Sequence, residues 1–413
     1  MIKTRIAQFV TLLCAVILAG CMTTKHTQSA GKKDGPMKFD FGYATAGSQA
    51  DGFTAIGTGT AYTDDQGFGI VSGNASEGGT ASATDAETDY LQGAIQFDFK
   101  VQKGSFYTVE ITYQGALRTG YVNGDLAGYQ LGNHQEMATE SYTIPATLDR
   151  IDLHIADAAS TARIAKVVVT KQDPRQKRDK RVLHHIGDST SANNGAWGYR
   201  LSRTLGTDYP ELAALCDFDN AGAGGRNLST YYMQGRLYNV LCNVYPGDIV
   251  MLGNNGTNGM GNSFEDDLNY YIDAAEALGA KVMLNSYTPH GAVANHTAGY
   301  KAETHTFDSY RRDRYDVVLR QVAEERKQND PNYLGFVEIG MNADAIFNAY
   351  VNDFAANGYA SAEEAAQAII NCFSDHNHYS KDPLAGTLML NGYAKATVPG
   401  IVAQLIAILS SAK

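Results

Sequence analysis

The sequence predicts an antiparallel β-sandwich followed by a doubly wound α/β domain built on a parallel sheet. Three observations carry this prediction. Segments of period-2 alternation punctuated by Gly, Asn and Asp fill residues 37–172, short apolar runs alternate with amphipathic stretches over residues 182–413, and a charged stretch lies between them at 173–181. At 413 residues the chain has room for two domains.

The first segment is a targeting signal rather than fold. Lys3 and Arg5 precede the nearly continuous apolar run Ile6 to Ile17, and Leu18-Ala19-Gly20-Cys21 follows as a small-residue cleavage site ending in cysteine. This looks like a bacterial lipobox, which makes residues 1–21 a lipoprotein signal peptide and Cys21 the lipidated mature N-terminus. Residues 22–36 are polar and read as a tether. The expectation is an exported protein, lipid-anchored at the bacterial cell surface or in the envelope, that meets the membrane through its anchor only.

Strand candidates in the first domain are Ala94 to Lys100, Tyr107 to Tyr113, Ile151 to Ile155 and Ile164 to Thr170. No long helical period lies between them. The stretch from Asp173 to Arg181 reads as a solvated, charged connector. Beyond it, Val182 to Ile186, Cys216 to Asp219, Asp248 to Leu252, Lys281 to Ser286 and Leu334 to Ile339 read as buried strands. Ser263 to Leu278, Tyr310 to Gln328, Ser361 to Asn371 and Gly392 to Leu409 read as helices. Ser361 with Glu364 three residues on has the form of a capping box.

Composition narrows the function classes. Hydrophobic residues make up 44% and charged residues 19%, as in globular proteins, and the net charge of −11 argues against a nucleic-acid partner. The 25 Tyr suit a sugar site without specifying one. Once Cys14 leaves with the signal and Cys21 takes lipid, Cys216, Cys242 and Cys372 remain. An odd set cannot fully pair, so either one disulfide forms, Cys216–Cys242 being the candidate, or all three are buried thiols. With no CxxC or His/Cys cluster, neither metal nor cofactor is expected.

The chemistry-bearing residues fall in four places. Gly187-Asp188-Ser189-Thr190 directly follows the first apolar strand, at the rim where parallel sheets form sites. Asp375-His376-Asn377-His378 sets a carboxylate three residues before an imidazole, so that Asp375 can fix the tautomer of His378 while the other ring nitrogen takes a serine proton. His376 is too close to Asp375 in sequence for that pairing. Asn220 to Asn227 follows the second strand and contains Gly222, Gly224 and Gly225, and Gly253-Asn254-Asn255-Gly256 follows the third. Both loops lie at the same sheet edge as Ser189 and are sources of oxyanion donors.

Taken in order, these four pieces resemble the sequence blocks of the SGNH (GDSL-like) hydrolases over about the last 230 residues. The resemblance implies a flavodoxin-like sheet, with Ser189 as nucleophile, His378 as base and Asp375 orienting it. Gly225, Asn255 and the Ser189 backbone N–H are then the oxyanion donors. Gly187 to Thr190, Gly195 to Gly198, Gly225-Arg226 and Asp375 to Ser380 are similar to segments of one subgroup, the rhamnogalacturonan acetylesterases, and Gly225 is preferred over Gly224 on that match. Phe39 to Gly42, followed by Gly67 to Gly69, resembles the galactose-binding-like sandwich that often precedes that catalytic domain. The implied substrate is an acetylated plant polysaccharide, pectic rhamnogalacturonan first.

This chain departs from the subgroup in two places. Gly253-Asn254-Asn255-Gly256 stands where the subgroup usually has Gly-His-Asn-Asp, and Lys381 to Leu390 reads as an insertion. Two other readings therefore remain open: a GDSL-type lipase or thioesterase for longer acyl chains, and a non-catalytic glycan-binding surface lipoprotein. Trp197 reads as a packing residue. Arg226, Tyr310, Arg311 and Arg312 are candidates to meet uronate carboxylates, with surface charge as the equal alternative.

Overall fold

A computed structural model of the chain describes residues 35–44, 50, 52–116, 120–122, 133–155, 162–193, 196–253, 263–287, 300, 301, 303–307, 314–371 and 393–412. Cys21, Asn255, Tyr310, Arg311, Arg312, Cys372, Asp375, His378 and the segment 381–390 lie outside them. Residues 37–413 form one compact unit.

Its first part is all strand: β1 (Met37–Phe41), β2 (Thr54–Ile56), β3 (Phe68–Gly73), β4 (Ser76–Gly79), β5 (Asp89–Gln92), β6 (Ile95–Lys100), β7 (Phe106–Ala116), β8 (Gly120–Val122), β9 (Asn133–Pro145), β10 (Arg150–Ile155) and β11 (Arg163–Lys171). One sheet runs β2-β1-β11-β5-β4, with β7 on β11 and β9 on β7; a second runs β3-β6-β10-β8. Within both, only the β1–β2 pair is parallel. The two ends of this region meet, because β1 pairs β11 with Met37 opposite Val169.

The alternation seen in the sequence explains the core. Phe39 and Phe41 on β1, Phe97 and Phe99 on β6, and Val109, Ile111 and Tyr113 on β7 are all buried in one cluster. Phe97 meets Phe39 and Phe41 edge-on at 4.9 and 5.0 Å between ring centroids. Strand β9 escapes a sequence reading because His134 to Thr143 is largely polar; it forms by pairing along β7 from Phe106 to Ala116.

The second part carries a five-stranded parallel sheet of β12 (Val182–Ile186), β13 (Asp217–Asn220), β14 (Ile249–Leu252), β15 (Lys281–Asn285) and β18 (Tyr333–Val337). A small hairpin, β16 (Tyr300–Lys301) with β17 (Thr306–Phe307), stands apart. The parallel sheet runs β13-β12-β14-β15-β18. In sequence terms this is the 2-1-3-4-5 order of doubly wound sheets, whose switch point lies between the first and third strands.

The described helices are α1 (Ser189–Ala192), α2 (Trp197–Asp208), α3 (Pro210–Leu215), α4 (Leu228–Met233), α5 (Arg236–Leu241), α6 (Phe264–Ala277), α7 (Arg314–Asn329), α8 (Gly340–Asn352), α9 (Ala362–Ile370) and α10 (Tyr393–Ser411). The sheet is buried on both faces. Val250, Leu252, Val282 and Leu284 pack with Leu268 and Ile272 of α6 and Leu319 of α7. Leu183, Met251, Met283 and Val337 pack with Trp197 and Leu201 of α2 and Val398, Ile401 and Leu405 of α10. Ser263 caps α6 in a reciprocal box with Asp266. Ser361 accepts from Glu364 N at 3.1 Å, but the Glu364 carboxylate takes the Ala360 N–H instead of closing the box on Ser361.

The stretch 173–181 is not the solvated connector the charges suggest. The Arg175 guanidinium lies between the Phe106 and Tyr245 rings, 3.5 and 4.7 Å from their centroids, and donates to the carbonyls of Cys242 and Val244. Arg178 donates to Asn243 O and Arg181 to Leu215 O and Leu409 O. Guanidiniums with five donors and flat faces dock here because the partners are carbonyls and aromatic rings rather than water. Gly104 of the strand-rich part, at φ +82°, approaches the Ala277 carbonyl so closely that a Cβ there would sit 2.5 Å from it. Tyr238 also donates its hydroxyl to Thr143 O. The two parts thus pack directly against each other.

Candidate active site

Ser189 stands one turn beyond β12, at the switch point of the parallel sheet. The strand supplies the approach and Gly187 the bend. A Cβ on Gly187 would lie 2.2 Å from Ser191 Oγ and 2.3 Å from His185 Cε1, so only glycine fits. Asp188 then caps α1, its Oδ1 accepting from Thr190 N at 2.8 Å and from Thr190 Oγ at 2.7 Å. This leaves Ser189 as the first residue of α1, half-buried, while Ser191 is turned inward and donates to Asp188 O.

The loop after β13 is stitched to this turn. Ala221 N donates to His185 O at 2.9 Å and Ala223 N to Gly187 O at 2.8 Å. Asn220 ties the two loops from the side, with Nδ2 donating to Ser191 O at 2.9 Å and Oδ1 accepting from Gly222 N at 3.3 Å. The loop's glycines differ in purpose. Gly224 faces Ser189, since a Cβ on it would sit 3.8 Å from Ser189 Cβ, whereas Gly225 has φ +68° and open space around it. Gly225 is therefore required by its left-handed conformation rather than by crowding. Of the residues expected to form the site, Ser189 and Gly225 are described and lie on adjoining loops, with Gly224 nearer Ser189 than sequence matching suggested; Asn255, Asp375 and His378 lie outside the described residues.

The third loop begins at Gly253, whose N–H donates to Ile186 O at 3.0 Å. A Cβ here would lie 2.1 Å from Asn285 Nδ2, so the backbone passes directly over that side chain. Beneath these loops runs a buried polar floor that a sequence reading passes over. His185 is fully enclosed, its ring 4.6 Å from Trp197 and edge-on to it, with Asn220 Oδ1 3.4 Å from its Nδ1. Burial pushes its pKa down to about 4, which keeps the ring neutral despite the hydrogen bond to Asn220 Oδ1. Asn285 Nδ2 donates to Ser286 O, and Ser286 Oγ accepts from Ile339 N and Gly340 N. The only outward signal is the pair of histidines in an otherwise apolar Val182 to Ile186.

His184, one residue earlier, points to the opposite face of the sheet. Its Nδ1 is 2.8 Å from Asp219 Oδ2 and its Nε2 3.6 Å from Asp248 Oδ2. Burial alone would lower its pKa, but these two carboxylates raise it overall. Trp197 is buried against His185 and Phe218, a packing residue as expected. Cys216 and Cys242 are not bonded to each other, so the candidate disulfide between them is not formed; burial pushes the Cys216 thiol up to about 11. Among the described residues no group of three or more His, Cys, Asp or Glu could hold a metal ion, and no helix is long and apolar enough to cross a membrane.

Arg226 leaves the glycine loop and folds back on it. Its Nη1 donates to Gly224 O at 3.1 Å, and its Nε donates to Gln234 Oε1 at 2.6 Å. Arg236 Nε donates to the same Gln234 oxygen at 3.0 Å.

No family model and no curated protein matches the chain. Solved structures of distant likeness include protein YXIM of Bacillus subtilis, 17% identical, covering 90% of this chain and 99% of that one with a TM-score of 0.38. A carbohydrate esterase family 2 enzyme with its carbohydrate-binding domain, from Corynascus thermopiles (Myceliophthora fergusii), is 12% identical, covers 77% of this chain and 94% of its own, and gives a TM-score of 0.30. A family two carbohydrate esterase from Clostridium thermocellum, solved with cellohexaose, is 12% identical over 62% of this chain and 85% of its own, with a TM-score of 0.23. At such identities and TM-scores, the chemistry must be taken from this chain's own residues.

Proposed function

We propose that this chain is a serine esterase of the SGNH type that removes O-acetyl groups from a plant cell-wall polysaccharide, pectic rhamnogalacturonan first among them. The observation that carries this reading is the placement of Ser189: half-buried, at the switch point of a 2-1-3-4-5 parallel sheet, with a glycine loop against its Cβ. The strand-rich part is read with it as a galactose-binding-like β-sandwich. The chain is further read as exported and lipid-anchored through Cys21, with an acetylated polysaccharide as its partner and no nucleic acid.

In this reading Ser189 Oγ attacks the acetyl carbonyl while His378 takes its proton and Asp375 holds the ring in the required tautomer. The oxyanion is met by the Ser189 N–H, by Gly225 with its neighbour Gly224, and by Asn255. Collapse of the tetrahedral adduct breaks the ester C–O bond, and His378 hands its proton to the departing sugar oxygen. Water, deprotonated by His378, then attacks the acetyl-serine and releases acetate, returning the proton to Ser189. No metal or cofactor takes part in this scheme.

Acetate release from a panel of acetylated pectins, xylans and mannans tests the reading. The wild-type chain should act on acetylated pectin first, and Ser189→Ala should lose several orders of magnitude in kcat. A strong preference for octanoate over acetate esters would instead favour a lipase, and glycan binding without any hydrolysis would favour a non-catalytic lipoprotein.

A further inference from the structure

Arg226 and Arg236 form a pair of guanidiniums that share one acceptor. Both Nε atoms donate to one neutral oxygen, Gln234 Oε1, so the two positive groups lie side by side. Among the described residues no carboxylate lies within ion-pair reach of either, as is also true of Arg163, Arg175, Arg181 and Arg203; what sets this pair apart is that two guanidiniums converge on one uncharged acceptor. Two like charges drawn to an amide, in a chain of net charge −11, are an arrangement that an anion would complete.

The pair is also tied to Ser189. Arg226 donates to the carbonyl of Gly224, the residue whose Cβ position is 3.8 Å from Ser189 Cβ. Arg236 opens α5, and its charge acts on the buried hydroxyl of Tyr231, which donates to Ala221 O in the same loop. Arg226 is half-buried and Arg236 and Gln234 are exposed, so the pair is open to a ligand from outside.

We propose that Arg226 and Arg236 form a carboxylate subsite beside the nucleophile, which selects esters carried on uronate-containing, polyanionic polysaccharides. This inference rests on the esterase reading of Ser189 for its catalytic consequence. The anion site itself stands on the arginine geometry alone. A planar guanidinium meets a carboxylate through two parallel N–H···O bonds, so each arginine would position the sugar bearing the ester as well as attract it. A polyanion is repelled by the chain's overall charge, and local positive charge at the site must offset that repulsion.

The test compares acetylated polygalacturonate with the same polymer after its carboxyls are reduced to alcohols, so that only charge differs. The wild-type chain should prefer the charged polymer by about tenfold or more in kcat/KM, with the preference fading as salt rises. Arg236→Ala and Arg226→Gln should each bring that ratio down by about tenfold, chiefly through KM. Arg203→Ala removes one positive charge from the exposed side of α2 and should leave the ratio where it was. An unchanged ratio in both site variants, or no preference in the wild type, overturns the subsite.

Binding of de-acetylated oligogalacturonate to the Ser189→Ala chain, followed by calorimetry, separates this inference from its parent. If no polymer and no aryl acetate is hydrolysed but the oligomer binds and Arg236→Ala weakens it about tenfold, the esterase reading falls and the anion site stands. If aryl acetate is hydrolysed and oligomer binding ignores both arginines, the anion site falls alone.

Discussion

Asn220→Ala should cripple turnover while leaving substrate affinity nearly intact. Asn220 bonds Ser191 O, Gly222 N and His185 Nδ1, and so fixes the distance between the turn that carries Ser189 and the glycine loop. Removing it takes the donor from Ser191 O, the acceptor from Gly222 N and the Oδ1 partner from His185 Nδ1. Ser191 and His185 are buried, so those two groups cannot recover their bonds from water. At about 1–3 kcal/mol for each of the two orphaned buried groups, the variant should lose about 2–6 kcal/mol of stability. Alanine also leaves the Gly224 loop free to drift from Ser189, and a shift of about 1 Å costs about a hundredfold in rate. The expectation is a fall of about 10–100-fold in kcat on 4-nitrophenyl acetate, with KM within about threefold of wild type. Asn220→Asp keeps the acceptor but sets a carboxylate oxygen against the Ser191 carbonyl, and should be no better than alanine. Urea unfolding run alongside separates the two losses. If Asn220→Ala keeps kcat within about twofold, or loses rate only in proportion to the fraction unfolded, the loops are not held by this contact.

Two further predictions concern stability. Burial, reinforced by Asp330, raises the Glu276 carboxyl from 4.5 to about 8; burial, reinforced by Asp152, raises Asp98 from 3.8 to about 7; burial raises Asp40 from 3.8 to about 6. Each keeps its proton to a higher pH in the folded chain than in the unfolded one, so this contribution is complete below about pH 4 and is lost as pH rises through 6 to 8. Asp248 and Asp330 are shifted down and act in the opposite sense only at lower pH. His185, held down from 6.5 to about 4 by burial, adds stability as pH rises to about 6.5 and offsets the loss there, so urea midpoints should fall between about pH 6.5 and 8.5, with Glu276→Gln flattening that slope; a rise across that range would contradict the assignment. Arg175→Ala strips two carbonyl hydrogen bonds and two ring contacts from the junction of the two parts, and should cost about 2–4 kcal/mol in thermal or urea unfolding. A loss below about 0.5 kcal/mol would mean the junction is held elsewhere.

The parallel sheet was legible because its strands are buried on both faces. Runs such as Ile249 to Leu252 and Lys281 to Asn285 stand out as apolar blocks, and the predicted ends fall within two residues of those observed. Helix α9 announced itself through Ser361, whose cap is local chemistry, and α6 through its amphipathic pattern from Ser263 to Leu278. What stayed hidden depends on tertiary partners. Strand β9 carries too many polar residues to alternate visibly, and α2 and α8 were passed over because Trp197 to Asp208 and Gly340 to Asn352 lack such side-chain caps. The arginines at 175, 178 and 181 read as solvated until the carbonyls and rings they meet are known. At the site, Ser189 and the glycine loops were visible as short motifs after strands. Asn220, His185 and Asn285 were not, because a polar residue in or just after a strand shows its purpose only once the strands beside it are in place. The same limit applies to Gly224 and Gly225, which the sequence separates only by resemblance and the backbone separates by conformation and by approach to Ser189.

The proposed esterase activity requires Ser189 to be a nucleophile activated by His378. Treating the full chain with a fluorophosphonate probe and mapping the adduct by mass spectrometry measures this directly, with Ser189→Ala and His378→Ala in parallel. A single adduct on Ser189, absent from Ser189→Ala and strongly slowed in His378→Ala, is the predicted result. No adduct on a folded chain, or one on a different serine that persists in Ser189→Ala, would contradict it.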